Sequence, residues 1–348
     1  MTGKIILKIF GCFSFGIMII ITLFWYSRGI SKGENGFIRL FPPHMIDGRK
    51  EMDLTYNSFY LAGATAKHLY LANATYPKSI WITDHALLDT QRINLHIADS
   101  GKIAWKAVRV VVDSPNIFCL EPITPAILKG DLADFTFYRL ATNNFNFSLS
   151  VPLSVSTFVN LVYDGAKDET KLVKVPADAR IGDARSYMIE KQKEGLFSTD
   201  GMIRFDRLSN RLVYIYYYRN QFICLDSNLN FRYQSRTIDT ISQAKINVVR
   251  IASENKIVLA APPLLVNNLS CIDQDILYIN SPRLANNENE KGFASYSVID
   301  MYSLKDGSYK YSFNIPDYKG QKLRNFSVIN HRIVAFQGHF MLTYKLNR

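Results

Sequence analysis

The chain has 348 residues, 48% of them hydrophobic and 20% charged, a globular composition that excludes a disordered or collagen-like protein. The net charge is +11, but the basic residues are spread along the chain, so no basic face for nucleic acid is indicated. Four cysteines are too few for a disulfide scaffold. We therefore predict a folded protein with no nucleic-acid partner.

Residues 9–26, IFGCFSFGIMIIITLFWY, form an uncharged stretch of 18 residues. That length meets the lower limit for a helix that crosses a hydrocarbon core of ~30 Å. A cleaved signal peptide has a shorter apolar run followed by small residues, whereas this run ends in Trp25 and Tyr26. We predict an uncleaved transmembrane helix within residues 1–33, with cleavage or lipidation at Cys12 as the alternatives.

The orientation of this anchor rests on a general pattern. Lys4 and Lys8 precede the apolar run and Arg28 and Lys32 follow it, so the positive-inside rule is nearly balanced. An N-terminal anchor before one large domain most often leaves its N-terminus in the cytoplasm. The expected location is the bacterial inner membrane, crossed once, with the C-terminal domain (residues 34–348) in the periplasm.

After the anchor, short apolar or alternating runs are separated by Gly, Asn, Asp and Pro, which is typical of an all-β protein. Only residues 183–194 favour a helix. Residues 202–238 and 264–316 each contain four consecutive strand patterns, which is the repeat of a propeller blade. We predict a mainly β fold, a single β-propeller of six blades, with seven blades as the alternative.

Two further points concern this fold prediction. A β-sandwich, or a pair of them, is disfavoured because no linker rich in Gly, Ser or Pro divides the chain. The last strand patterns, in residues 326–346, supply only three strands of a blade. Residues 36–40, GFIRL, are the candidate for the fourth strand, which would close the ring and remove open sheet edges.

Several segments together resemble a known family: GMIRFDRLSNRLVYIYYYRNQFICLDSNLNFRYQSRTIDT, FIRLFPPH, YNSFYLAGATAKHLYLAN and LAAPPLLVNN. The chain is similar to an uncharacterised family of membrane-anchored proteins from Bacteroidetes, whose blade pattern looks like that of TolB-like six-bladed propellers. The resemblance covers most of residues 37–348. It implies a propeller and a location in the cell envelope, and it assigns no functional residue.

Motifs for catalysis, metal binding and cofactor binding are missing from the sequence. It contains no HExxH, CxxC, GxSxG, Walker loop or GxGxxG pattern. We therefore assign no catalytic residue, no metal site and no cofactor. Cys119 and Cys224 lie in apolar strand patterns, which predicts buried, unpaired thiols with a structural role.

The most unusual local feature is the run Tyr214–Asn220, YIYYYRN. Its tyrosines either fill the space between blades or form a platform for a peptide or sugar. In a propeller, the loops joining second and third strands emerge on one rim. The candidate loops are residues 76–78, 121–125, 164–169, 219–221, 281–295 and 337–339. The candidate ligand-binding residues are Tyr217, Arg219, Asn220 and His339.

These observations favour a non-catalytic binding or scaffold module that holds a protein or peptide partner near the membrane to which residues 9–26 attach it. One alternative is a propeller hydrolase or lyase with its site in the central channel, and another is an accessory subunit of a membrane redox complex. Converging Asp, Glu, Asn or His side chains in the channel would favour the enzyme. An apolar or plugged channel would favour the binding module.

Overall fold

The computed structural model describes residues 2–31, 35–98, 103–140, 146–176, 185–192, 196–251 and 256–347. The first element is helix α1, Thr2–Ser31, which includes the predicted anchor. Its apolar side chains from Phe10 to Phe24 are exposed, with Phe10 and Phe13 each 72% accessible. Among the described residues, no helix is both long and apolar enough to cross a membrane, so the predicted transmembrane span is not found.

The described residues form seven sheets, and the six that have four or more strands are the blades. Blade 1 contains β2 (Phe59–Ala64), β3 (His68–Asn73), β4 (Ser79–Asp84) and β5 (Thr90–Asn94). Blade 2 contains β7 (Arg109–Asp113), β8 (Asn116–Glu121), β9 (Ala126–Asp131) and β10 (Thr136–Arg139), with β6 (His96–Ile97) parallel to β10. Blade 3 contains β11 (Leu149–Pro152), β12 (Thr157–Asp164), β13 (Glu169–Pro176) and β14 (Ser186–Met188).

The second half of the ring repeats the pattern. Blade 4 contains β15 (Gly201–Asp206), β16 (Arg211–Tyr216), β17 (Gln221–Asp226) and β18 (Phe231–Arg236). Blade 5 contains β21 (Leu269–Asp273), β22 (Ile276–Asn280), β23 (Tyr296–Ser303) and β24 (Tyr309–Pro316). Blade 6 contains β25 (Leu323–Ile329), β26 (Arg332–Gln337), β27 (Phe340–Leu346) and β1 (Ile46–Asp53).

The chain is thus a six-bladed propeller, and the alternative of seven blades is wrong. The predicted meanders at 202–238 and 264–316 are blades 4 and 5. Between them lies a small hairpin of β19 (Val248–Ile251) and β20 (Lys256–Leu259). The short helices are a 3-10 turn, Leu196–Thr199, before blade 4, and α2, Glu290–Phe293, inside blade 5.

Ring closure was expected, but a different strand provides it. The outer strand of blade 6 is β1, which runs antiparallel to β27 with Asp53 opposite Phe340. Residues 36–40 form no strand. Their polar groups bond instead to blade 5, where the backbone nitrogen of Arg39 donates to the Asn287 side chain at 3.0 Å.

The predicted helix at residues 183–194 is also wrong where it can be compared. Ser186–Met188 is strand β14, paired with β13 through Lys171 opposite Met188. Residues 183, 184, 193 and 194 lie outside the described ranges. A helix of about three turns is marginal by itself, and the pairing that completes blade 3 outweighs its intrinsic propensity.

Aromatic side chains fill the spaces between neighbouring blades. Phe222 of blade 4 meets Tyr302 of blade 5 with ring centroids 5.7 Å apart, and Phe118 of blade 2 meets Phe158 of blade 3 at 5.4 Å. Each of these four side chains is fully buried. Edge-to-face packing of this kind stabilises beyond the area it buries. The high tyrosine and phenylalanine content therefore serves the inter-blade core.

The structure confirms the prediction that Cys119 and Cys224 are buried, unpaired thiols. Burial raises the pKa of each thiol above its ordinary value, because a thiolate is poorly solvated there. Neither side chain is suited to nucleophilic or redox chemistry at neutral pH.

The inner strands of blades 1 and 2 approach so closely that Gly63 has no room for a side chain. A Cβ atom there would lie 2.4 Å from the carbonyl oxygen of Val112. We expect Gly63→Ala to lower the free energy of unfolding by about 1–3 kcal/mol, because backbone must move. Urea denaturation measures this. Gly165→Ala is the control, since its Cβ would meet only Tyr163, at 3.6 Å; equal losses in both variants would contradict the expectation.

Candidate functional site

The six inner strands, β2, β7, β11, β15, β21 and β25, surround a central channel. All six run in the same direction, so their first residues gather at one end of the channel, which we call the mouth face. Because neighbouring strands in a blade are antiparallel, the loops joining second and third strands return to this face. All six loops predicted from the sequence therefore lie on one face.

A cavity of about 440 Å³ opens at the mouth face, and we call it the mouth cavity. It lies where blades 1, 2, 3 and 6 begin, with a lining formed mainly by residues 57–60, 106–109, 147–150 and 324–325. Its volume lies within the range of small-ligand sites. The lining combines apolar rings and aliphatic chains with a few basic and amide groups.

The second cavity is the channel itself, about 470 Å³, and inner strands of all six blades line it. Arg109 and Asn325 contribute to both cavities, so the channel continues from the mouth cavity. Asn268 and Arg204 add polar groups to the channel. Neither cavity has an Asp, Glu or His in its described lining. The channel is therefore basic and amide-bearing, neither purely apolar nor a cluster of acids.

Arg204 on β15 is held by two carbonyl oxygens. Its Nε donates to the carbonyl oxygen of Ser270 at 2.8 Å, and its Nη1 donates to that of Ile203 at 2.7 Å. Burial, together with repulsion from Arg109, lowers the pKa of Arg204 to about 10. The side chain still carries its positive charge at neutral pH, and the two bonds fix its orientation beside the channel.

Arg324 on β25 joins blades 6 and 1 at the mouth cavity. Its Nε donates to the carbonyl oxygen of Gly338 at 2.7 Å, and its Nη1 donates to that of Phe59 at 2.6 Å. Its Nη2 is buried and bonds to no described protein atom. Burial lowers the pKa of this guanidinium. One donor of a fixed cation is thus left without an acceptor at the cavity wall.

Arg109 and Lys106 bring two more cations to the mouth cavity. The Arg109 guanidinium lies over the Tyr60 ring, 4.8 Å from its centroid, and both side chains line the cavity. Arg109 and Lys106 are exposed. Within the described ranges, neither Arg109, Lys106, Arg204 nor Arg324 forms an ion pair with a carboxylate.

Asp200 and Tyr217 stand next to each other at the start of blade 4. The backbone nitrogen of Tyr217 donates to the carbonyl oxygen of Asp200 at 3.1 Å. Burial raises the pKa of Asp200 to about 6. It also raises the pKa of Tyr217, an increase that Arg204 opposes and the Asp200 carboxylate reinforces. Tyr217 therefore lies within electrostatic reach of Arg204 and Arg109, whereas burial alone accounts for the raised pKa of Asp200.

The structure separates the residues singled out by sequence. Tyr217 lines the channel. Arg219, two residues on, is fully buried with its guanidinium 3.7 Å from the Tyr216 ring centroid, and its Nη2 donates to the carbonyl oxygen of Glu190 at 3.0 Å. These contacts with Tyr216 and Glu190 fix the position of the β16–β17 loop, in which Arg219 lies. A role for Arg219 in ligand binding stays a prediction.

Asn220 and His339 occupy different surroundings again. Asn220 is buried, and its side-chain amide donates to the carbonyl oxygen of Asp239. His339 is exposed on blade 6, where its Nδ1 lies 2.7 Å from a carboxylate oxygen of Asp53. Neither residue lines the channel or the mouth cavity. The four predicted residues therefore do not form one constellation.

The candidate loop at residues 281–295 is an insertion in blade 5 that binds the segment after α1. Arg39 is buried at 2% exposure and forms ion pairs with Asp300 of β23 and Glu288 of the insertion. Burial alone would lower the pKa of Arg39, but these two carboxylates raise it above its ordinary value. The Nη1 of Arg39 also donates to the carbonyl oxygen of Arg283 at 2.8 Å.

Sequence reasoning missed the three arginines that line the cavities. Arg109 and Arg324 are the first and second residues of their inner strands, within AVRVVV and KLRNF, and Arg204 is the fourth residue of its strand, within MIRFD. The available signal was an arginine inside an otherwise apolar inner strand in three blades. In the described part of the chain, no three His, Cys, Asp or Glu side chains come together as a metal site.

No protein-family model matches the sequence, and no curated protein matches it. Among solved structures, the chain is similar to one titled as a nidogen/laminin complex, at 11% identity and a TM-score of 0.43, over 77% of this chain and 82% of that one.

Two bacterial structures are also similar. One is a catalytically inactive virginiamycin B lyase from Staphylococcus aureus with quinupristin, at 10% identity and a TM-score of 0.46, over 86% of this chain and 99% of that one. The other, at 12% identity and a TM-score of 0.46 over 90% of this chain and 99% of that one, is a member of the DUF4221 family from Bacteroides vulgatus. The six blades are established by the sheet topology of the chain itself.

Proposed function

We propose that the protein is a membrane-tethered binding module whose propeller holds a protein or peptide partner at the mouth face, on the periplasmic side of the bacterial inner membrane. The mouth cavity is the observation that carries this proposal. It is open, of ligand size, and lined by apolar rings beside two hydrogen-bond donors, Arg324 Nη2 and the Ser150 hydroxyl, that have no acceptor among the described residues. Such a lining is typical of a site that binds both polar and apolar groups of a partner.

Support for the tether comes from α1 and the segment behind it. The exposed apolar side chains from Phe10 to Phe24 would be poorly solvated in water, and a membrane is the natural apolar medium for them. The next described residue, Asn35, donates to the carbonyl oxygen of Leu284 at 2.7 Å and accepts from Thr240 at 2.7 Å. Both partners lie in connections on the mouth face, so the tether would bring this face near the bilayer.

Blocking the mouth cavity tests the proposal. Ala107 is exposed and lines the cavity, so we expect Ala107→Trp to fill part of it and to reduce partner capture from envelope extracts at least about tenfold. The matched control is Leu208→Trp, in the exposed turn between β15 and β16 at the opposite end of the disc. Cross-linking and quantitative mass spectrometry measure capture; equal capture by both variants would defeat the proposal.

One observation favours the catalytic alternative, a hydrolase or lyase that works in the channel. A carboxyl group with a pKa of about 6 is suited to proton transfer near neutral pH, and Asp200 is such a group, bonded through its backbone to the channel-lining Tyr217 although it lies outside the described lining itself. A panel of lactones and glycans, assayed with the wild type and Asp200→Asn, tests this alternative. Turnover that disappears in the variant would support an enzyme.

A further inference from the structure

We infer that the mouth cavity recognises a carboxylate of its peptide ligand, next to an apolar side chain, through Arg109, Lys106 and the unpaired donor of Arg324. This inference rests on the proposed function, because it names the chemistry of the partner that the same site would hold. The binding module and the carboxylate specificity are tested by different experiments.

The charged side chains that line the two cavities are all basic. Two arginines and a lysine line the mouth cavity, and a third arginine lies along the channel that continues from it. No Asp or Glu stands in either described lining. Like charges gathered in a confined space repel one another, as the influence of Arg109 on the pKa of Arg204 indicates. An anionic group bound among them would relieve that repulsion.

The second argument is the unsatisfied donor of Arg324. Its Nε and Nη1 bond to carbonyl oxygens of two different blades, which fixes the plane of the guanidinium. Its buried Nη2 bonds to no described protein atom. A buried donor without an acceptor is costly, and a charged donor more so. A carboxylate oxygen in the mouth cavity would satisfy it by a charge-assisted hydrogen bond.

The third argument concerns the remainder of the ligand. Phe59, Leu120 and Phe147 line the same cavity beside the cations. Leu149, which is 37% exposed, continues this apolar lining, and a small inorganic anion would leave it in contact with water. A peptide that carries a leucine or phenylalanine beside its carboxylate would cover both parts of the lining. The cavity therefore fits an acidic–apolar peptide segment better than a free anion.

Asp200 acts on the channel-lining Tyr217 from the start of blade 4. Glu121 is fully buried between the lining residues Leu120 and Pro122, and it accepts a hydrogen bond from the backbone nitrogen of Ile123 at 2.8 Å. Both carboxylates lie outside the two described linings. Arg39, in contrast, already has Asp300 and Glu288 as partners, so it offers no charge to a ligand. Among the described residues, the cations that line the two cavities and have no carboxylate partner are Lys106, Arg109 and Arg324 at the mouth cavity and Arg204 in the channel.

Fluorescence anisotropy with short labelled peptides tests the inference. The probe is a hexapeptide of alternating Glu and Leu, and its control replaces Glu by Gln. We expect the Glu peptide to bind the full chain, the Gln peptide to bind at least about tenfold more weakly, and added salt to weaken binding. Equal affinity of the two peptides, or no binding of either, would overturn the assignment of a carboxylate.

Matched charge variants locate the site. Arg109→Gln combined with Lys106→Gln removes two exposed cations and should weaken binding of the Glu peptide about tenfold or more. Lys305→Gln removes an exposed lysine from the β23–β24 turn at the opposite end and should change nothing. Equal effects of the two would indicate nonspecific attraction and overturn the inference.

Inorganic phosphate provides the last arm of the test. If phosphate binds at the mouth cavity and the Glu peptide does not, the ligand is a free anion and not a peptide. That result would overturn the inference. The proposed function has its own outcome. Loss of partner capture in Ala107→Trp with no preference for Glu over Gln would keep the binding module and remove only the carboxylate.

Discussion

Replacing Arg39 by methionine is expected to destabilise the propeller by about 3–5 kcal/mol, since it leaves two buried carboxylates without their cation. The Arg39, Glu288 and Asp300 side chains are each at most 2% exposed. The Asp300 carboxylate would keep its bond from the Ser312 hydroxyl, but no bond from a cation. Guanidinium denaturation monitored by tryptophan fluorescence measures the loss.

A surface arginine supplies the control for this change. Arg49 lies 3.9 Å from Glu51, and the two side chains are 55% and 46% exposed. Exposed pairs of this kind contribute ~0–1 kcal/mol, so Arg49→Met should shift the unfolding midpoint only slightly. Protease sensitivity of residues 35–41 should also rise in Arg39→Met alone. Similar midpoints for the two variants would show that the Arg39 cluster contributes little.

Asp200→Asn is expected to stabilise the protein above pH 6. Burial raises the folded-state pKa of Asp200 to about 6, above its ordinary value of 3.8. The folded state therefore binds a proton more tightly than the unfolded state, and stability falls as pH rises from 3.8 to 6 and stays lower above it. Two pKa units correspond to ~2.7 kcal/mol, which partial exposure reduces to about 1–2 kcal/mol.

Unfolding curves at pH 4, 5, 6 and 7.5 measure this linkage. The difference between Asp200→Asn and the wild type should be near zero at pH 4 and should grow until about pH 6.5. Asp306→Asn is the comparison, because an exposed carboxylate whose pKa is lowered by hydrogen bonds from Ser308 should show the opposite trend. A constant difference across the pH range would refute the role assigned to burial of Asp200.

The sequence predicts blades 4 and 5 well, since each of their strands carries its own apolar pattern and turn. Asp226, at the end of β17, shows how local these signals are. Its carboxylate accepts hydrogen bonds from the backbone nitrogens of Asn228 and Asn230 at 2.8 and 2.9 Å, which fixes the turn that CLDSN indicates. Interactions between residues two to four apart need no knowledge of the ring.

The mouth cavity is the opposite case. Arg109 and Arg324 are far apart in sequence and meet only because the ring brings blades 2 and 6 to either side of blade 1. Arg39 and Asp300 are likewise 261 residues apart. The hydrophobic periodicity of a sequence does not indicate which residues of distant blades come close together. The tyrosine run attracted the prediction because it is locally unusual, yet Tyr214 and Tyr216 are core residues and only Tyr217 reaches the channel.

The pairing of β1 with β27 has a consequence for synthesis. The ribosome makes residues 46–53 first, and the strand they require, residues 340–346, emerges roughly 15–60 s later at ~5–20 residues per second. Throughout that interval β1 offers an open edge to any other extended chain. A nascent chain arrested just after residue 316 would carry five blades that can complete themselves and the unpaired strand β1, and this is the species that we expect chaperones to hold.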